Sequence, residues 1–379
     1  MIVPGTTGVS AKLDLTFDQV AVDYDSIVDI QLQADENLHD YACVTINGIP
    51  TRAVNDYVGV NVRFIVSTGA NYVHEFFGTV DFVEPVSSAS GGLVNGSPFQ
   101  TAKVHCYGNS YRMRGKTSKV WEHTTLDQMA NKLAHRYGFS SSVIKPKRSI
   151  PRFVQESESD WEALVRYASV YGYKVTLNGT HLHIYDPLAA MARFRSFHRL
   201  STADVDKVDS PGKVYKFEAM VGRAAVDGIH KDACVTVMDP SGRQYDLTTS
   251  KVRGTSGGKF TVRENHVVDS YAEGRAIIDA ATRSAYDFQA TVECLGVAGA
   301  YPGGVVDLTG YRSDLDGLWY VSSVKHSVHS GSFTSILEIK KFAEMPLSFT
   351  ATQPYSKPPS SVISKGEWVS SRDSVACYA

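Results

Sequence analysis

A chain of 379 residues, at roughly 150 residues per domain, has room for two or three domains. Hydrophobic residues at 43% supply ordinary cores, charged residues at 21% argue against global disorder, and a formal net charge of −2 gives no overall reason to expect a nucleic-acid or membrane partner. The five cysteines, Cys43, Cys106, Cys234, Cys294 and Cys377, are scattered and odd in number. They form neither a disulfide framework nor a zinc site, and reduced thiols from synthesis in the cytoplasm are the simple reading. No stretch approaches the ~20 apolar residues of a membrane span. Residues 1–10 lack the basic region and apolar block of a signal peptide.

The first third reads as β. Residues 61–66 and 72–83 are rich in β-branched and aromatic residues, and residues 67–71 between them suit a hairpin loop. Asn47-Gly48 and Asn95-Gly96 mark further turns, residues 87–98 read as an exposed loop, and residues 102–107 form a strand ended by Gly108.

After residue 110 the period changes. Leu126, Met129, Ala130, Leu133, Ala134 and Tyr137 make one continuous helix face, with Thr124 or Thr125 as N-cap and Gly138 at the C-terminus. A second helix carries Trp161, Leu164, Val165 and Ala168, starts at the capping-box pair Ser159 and Glu162, and stops at Gly172. Residues 173–177 and 181–185, around Asn178-Gly179, make a hairpin. From about 210 strands resume: residues 234–238 and 244–247 form a hairpin, a helix spans 270–286, and strands follow at 288–295, 304–309, 319–328 and 333–340. Residues 346–379, with Pro354, Pro358 and Pro359 among serines, form an extended tail in which Trp368 is a candidate docking anchor.

Candidate chemistry is sparse. Glu156, Glu158 and Asp160 suggest a carboxylate pair, but Asp160 and Glu162 belong to a first helical turn, where the dipole favours them. His181 and His183 share a strand face, yet no third metal ligand is near in sequence. His326 and His329 are expected to diverge. Residues 254–259 imitate a phosphate loop, but Arg253 stands where its first glycine belongs and Phe260 follows Lys259. No Gly-x-Ser-x-Gly elbow occurs. No catalytic residue, metal or cofactor is expected. Residues 103–152 hold eleven basic residues against Glu122 and Asp127, which points to an acidic protein partner more than to nucleic acid.

Gln155, Glu158, Ser159, Asp160, Leu164, Arg166 and Ala168, with Gly172 four residues on, form a recognisable series. With it the stretch 125–185 resembles the phage baseplate-hub and tail-associated protein family, which includes Mu-type hub proteins and the N-terminal part of type VI secretion spike proteins. Ala163 replaces the family's aromatic, with Trp161 expected to supply the bulk, and Tyr167 replaces its leucine. The modules of residues 1–345 follow the same order. The resemblance implies an α+β, mostly β fold: two tube-like β-barrel domains, 1–110 and 188–345, flanking a small α/β module, 111–187, with the tail 346–379. It implies a structural hub at the tail tip or baseplate of the virion, made in the host cytoplasm. Three copies would form a ring adapting the hexameric tail tube or distal tail protein to a trimeric spike or fibre, with a lumen through which DNA could pass. The alternatives are a tail-associated cell-wall hydrolase, for which the tail is short, and a secretion-spike component.

Overall fold

The computed structural model describes residues 11–50, 54–68, 72–86, 93–94, 97–144, 149–193, 198–202, 211–221, 233–238, 244–248, 260–267, 276–277, 286–329 and 332–342. The first part supplies β1 (Ala11–Phe17), β2 (Val20–Ala21), β3 (Ile27–Asp35), β4 (Tyr41–Pro50), β5 (Asn61–Thr68), β6 (Tyr72–Val86), β7 (Leu93–Val94) and β8 (Ser97–Gly108). Alternate residues point inward: Leu13 and Leu15, Ile30 and Leu32, Val62 and Phe64, Val104 and Cys106 are buried. The strand order is β3-β4-β8-β6-β5-β1-β2. β1 and β3 lie far apart in that order, yet their side chains share one core, so the sheet curls over on itself.

The expected hairpin at 61–83 is β5 and β6, paired from Asn61↔Thr79 to Thr68↔Tyr72. Asn47-Gly48 is not a turn. β4 continues through it, and the register against β8 slips between Ile46 and Ile49, so a β-bulge absorbs the irregularity without reversing the chain. Residues 93–94 and 97–98 are paired strand, where an exposed loop was expected. Asn95 and Gly96 fall outside the described residues.

The middle contains β9 (Lys116–Thr125), α1 (Leu126–Tyr137), β10 (Ser140–Ile144), β11 (Ser149–Ser159), α2 (Asp160–Val170), β12 (Lys174–Asn178), β13 (His181–Tyr185) and α3 (Pro187–Arg193). Thr125 caps α1 in a capping box with Gln128, and Gly138 ends it at φ 74°. β9 and β11 form an antiparallel ribbon, and β10-β13-β12 a small sheet with β10 parallel to β13. Met129, Leu133, Leu164, Tyr167 and Leu182 meet in a core of their own.

The last part supplies β14 (His198–Ser201), β15 (Val214–Val221), β16 (Ala233–Met238), β17 (Gln244–Thr248), β18 (Phe260–Val267), β19 (Tyr286–Leu295), β20 (Val305–Thr309), β21 (Gly317–His329) and β22 (Ser332–Phe342). The order β15-β19-β22-β21 continues through β20 to β14. Ser201 then bridges to Lys213, beside the start of β15, and its N–H donates to the Gly212 carbonyl at 3.1 Å. These strands enclose a third core with Trp319, Val292 and Leu337. β21 also pairs with β3, from Ser323↔Asp35 to His329↔Asp29, so one large, mostly antiparallel curled sheet carries both sets of strands except β16, β17 and β18, which form a separate sheet in the order β17-β16-β18. Of the helix expected over 270–286, Ala276 and Ile277 are described and helical; Ile277 is buried in the α/β core, and Tyr286 already belongs to β19. The turn at 239–242, the loop 254–259 and the tail with Trp368 lie outside the described residues.

Candidate functional site

The motif residues build a joint. β11 follows β9 in register to Gln155↔Lys119 and resumes at Glu158↔Thr117; the bulge holds Ser157 at φ 50°. Gln155 is turned into the core and is fully buried. Its Oε1 accepts from Trp121 Nε1 at 3.1 Å. Its Nε2 shares two hydrogens among Thr117 Oγ1 at 2.8 Å, Asp160 Oδ1 at 3.0 Å and the Glu158 carbonyl at 3.1 Å.

Asp160 opens α2 and is fully buried, so its charge must be met by protein groups. Arg136 Nη1 donates to its Oδ2 at 2.6 Å and the Tyr137 hydroxyl at 2.8 Å. The C-terminus of α1 is thereby tied to the N-terminus of α2, whose dipole adds to the hold. Burial and the neighbouring carboxylate push the Tyr137 phenol up from its ordinary value. Ser159 Oγ accepts from Glu162 N at 3.1 Å, and Ser159 N donates to Glu162 Oε2 at 2.8 Å, which lowers the Glu162 carboxyl. Arg166 clasps Glu158, donating through Nε at 3.1 Å and through Nη2, and stacks 4.2 Å over Phe153. Leu164 and Tyr167 are fully buried, and Gly172 sits at φ 72°. Gln155, Glu158, Ser159, Asp160, Leu164, Arg166 and Gly172 are thus brought together as one structural unit. The carboxylates Glu156, Glu158 and Asp160 do not form a facing pair: Glu156 is exposed, and the other two are held by arginines.

This unit is fastened to the large sheet through Trp161 and through Glu36 and Asn37, two residues that sequence reasoning missed. Trp161 lies in the module core, and its Nε1 donates to the Asn37 carbonyl at 3.1 Å. Asn37, at φ 68° just past β3, donates its N–H to the Val175 carbonyl at 2.8 Å and accepts from Val175 N at 2.9 Å through Oδ1. Glu36 beside it meets Lys174 of the module at 3.0 Å, Lys340 of β22 at 3.3 Å and the Tyr320 hydroxyl of β21 at 2.7 Å. Burial works against the Glu36 charge, but the two lysines and the hydroxyl outweigh it and hold the carboxyl below the usual range. First strands, module and last strands therefore converge on two consecutive side chains. Nothing local marks them, because Lys340 is 304 positions away.

His181 and His183 do stand together, ring centroids 4.4 Å apart, with Ser140 and Ser142 at their Nδ1 atoms. His183 is buried, and burial followed by His181 lowers it to about 3. His326 is buried and His329 exposed, so they diverge as the spacing implies. Among the described residues no group of three His, Cys, Asp or Glu is placed to hold a metal ion. No described helix is long and apolar enough to cross a membrane.

Solved structures decide what this architecture is. Over 88% of this chain and 98% of the other, it superposes on the 43 kDa tail protein of prophage MuSo2 from Shewanella oneidensis, with a TM-score of 0.60 at 13% identity. The chain has the fold of phage tail proteins. A tail protein from Neisseria meningitidis matches with a TM-score of 0.61 at 13% identity, over 87% of this chain and 96% of that one. An Escherichia coli type VI secretion component, described as similar to the T4 tail proteins gp27 and gp5, matches with a TM-score of 0.57 at 10% identity, over 87% and 77%. No protein-family model matches the sequence, and no curated protein does.

Proposed function

We propose that the chain is a structural hub of a phage tail tip or baseplate, acting as a trimer that adapts a hexameric tube to a trimeric spike or fibre. The observation that carries this reading is the pairing of β3 with β21. It joins two strand systems, each with its own core, into one continuous sheet within a single chain. Two tube-like barrels per chain, 1–110 and 188–345, would give a trimer six similar edges around a lumen wide enough for DNA, and a ring closes only when its rotation suits the number of subunits. Phage tail proteins of the same fold support a virion location. The α/β module 111–187 serves as the wedge that keeps the two systems in register, through Glu36 and Asn37. The tail 346–379 is a docking segment anchored by Trp368 on a neighbouring subunit or on the spike.

The likeness to the secretion component favours one second reading, a secretion-spike component. Tagging the chain within the phage separates the two. Label at the tail tip of purified virions supports the hub. A chain absent from virions and present in secreted spike complexes replaces it. A peptidoglycan zymogram in which the chain clears the substrate would instead favour the hydrolase.

A further inference from the structure

Three strands from both halves of the chain bring histidines to the seam where the two sets of strands meet. His74 comes from β6, His326 from β21 and His198 from β14. The His74 and His326 rings meet edge to face with centroids 4.8 Å apart, and His326 is 1% exposed. The seam is otherwise apolar: Val328 and Phe333, from β21 and β22, pack into the core of the first strands, and Phe333 lies 5.4 Å from the His326 ring.

The groups facing His326 are few. β6 presents His74, β14 presents His198, and β22 presents Phe333 and Ser335, whose Oγ lies 2.8 Å from His326 Nδ1. β3 presents Leu32 opposite it in register, and the 297–300 loop presents the backbone of Ala300. Among the described residues neither His74 nor His326 is in an ion pair with a carboxylate; His329, at the exposed end of β21, is the one that meets Asp29, at 3.8 Å. A proton arriving here finds a second imidazole where a compensating charge would be needed.

We propose that this seam is an acid-sensitive latch, in which protonation of the His74–His326 pair separates the first strands from the last by opening the β3–β21 pairing. His326 is buried and His74 and His198 are partly so; burial lowers His74 and His198 to about 4 and His326 well below the ordinary value, so the closed seam disfavours a proton on each. An unfolded histidine titrates near 6.5, so the opened state binds more protons than the closed one as pH falls from about 6.5 to about 4, and the closed state loses stability across that window. His39, lowered to about 4, and His183, to about 3, lie in other contacts and add a general acid sensitivity, so the test must be local.

The test is hydrogen exchange of the full chain, followed by mass spectrometry from pH 7 to 4.5 and corrected for the intrinsic pH dependence of exchange. Protection of the β3 and β21 amides is expected to fall by more than about tenfold per pH unit, the slope for more than one linked proton, before the α/β core opens. His74→Phe keeps an aromatic ring against His326, and His326→Gln keeps a partner for Ser335. Each is expected to lower the slope by about one proton's worth, tenfold per unit. Imidazole NMR on the wild-type chain gives a reading independent of both variants. Ordinary titration of His74 and His326 near 6.5 overturns the proposal, as does loss of protection that begins in the module or is unchanged in both variants.

Discussion

Glu36 Oε1 and Lys174 Nζ meet at 3.0 Å across the boundary between the large sheet and the α/β module, and Lys340 approaches the same oxygen from the other side. A carboxylate shared by two lysines and a tyrosine is costly to remove, because the partly buried Lys174 and Lys340 lose a shared counter-charge and the Tyr320 hydroxyl loses an acceptor. Glu36→Gln is expected to lower unfolding stability by about 3 kcal/mol, and Lys174→Met by less, since Lys340 and Tyr320 remain. Denaturant midpoints at pH 7 check this. A Glu36→Gln midpoint equal to wild type would remove Glu36 from its place at the joint.

Leu164 lies at the centre of the α2 stripe with no exposed surface. Leu164→Asp buries an unpaired carboxylate there and is expected to cost several kcal/mol, on the order of 4, and to abolish assembly into particles. Unchanged melting together with unchanged assembly would show that the stripe does not face a core.

Gly172 holds φ at 72°, which a side chain adopts only at a cost. Gly172→Ala is expected to lose about 1 kcal/mol, measurable as a modest drop in melting temperature without loss of assembly. A stabilised variant would contradict the turn geometry.

Much of the α/β module was legible because its signals are local. The Thr125–Gln128 and Ser159–Glu162 boxes, the apolar stripes and Gly138 specify α1 and α2 within a few residues of each other. β9 was not legible. Its sequence is polar, and Trp121 and Thr124 are its only buried members, so no alternation announces it. The bulge at Asn47-Gly48 imitates a turn because the same residue pair serves both. The joint at Glu36 and Asn37 and the histidine seam could not be read from sequence, since their partners are supplied by tertiary pairing over hundreds of positions.

The tail carries a separate expectation. Deleting residues 350–379, or replacing Trp368 by alanine, should leave the melting of the sheet and module unchanged while lowering the yield of intact tails by about tenfold or more, as loss of an aromatic anchor does at an interface. Wild-type yield and infectivity from both variants would eliminate the docking role.

The central claim is the ring. A map of purified virions at a resolution that locates this chain should show three copies at the tail tip, each contributing both strand systems to a six-part collar beneath the tube. One, two or six copies at that position, or a location elsewhere in the particle, would contradict it.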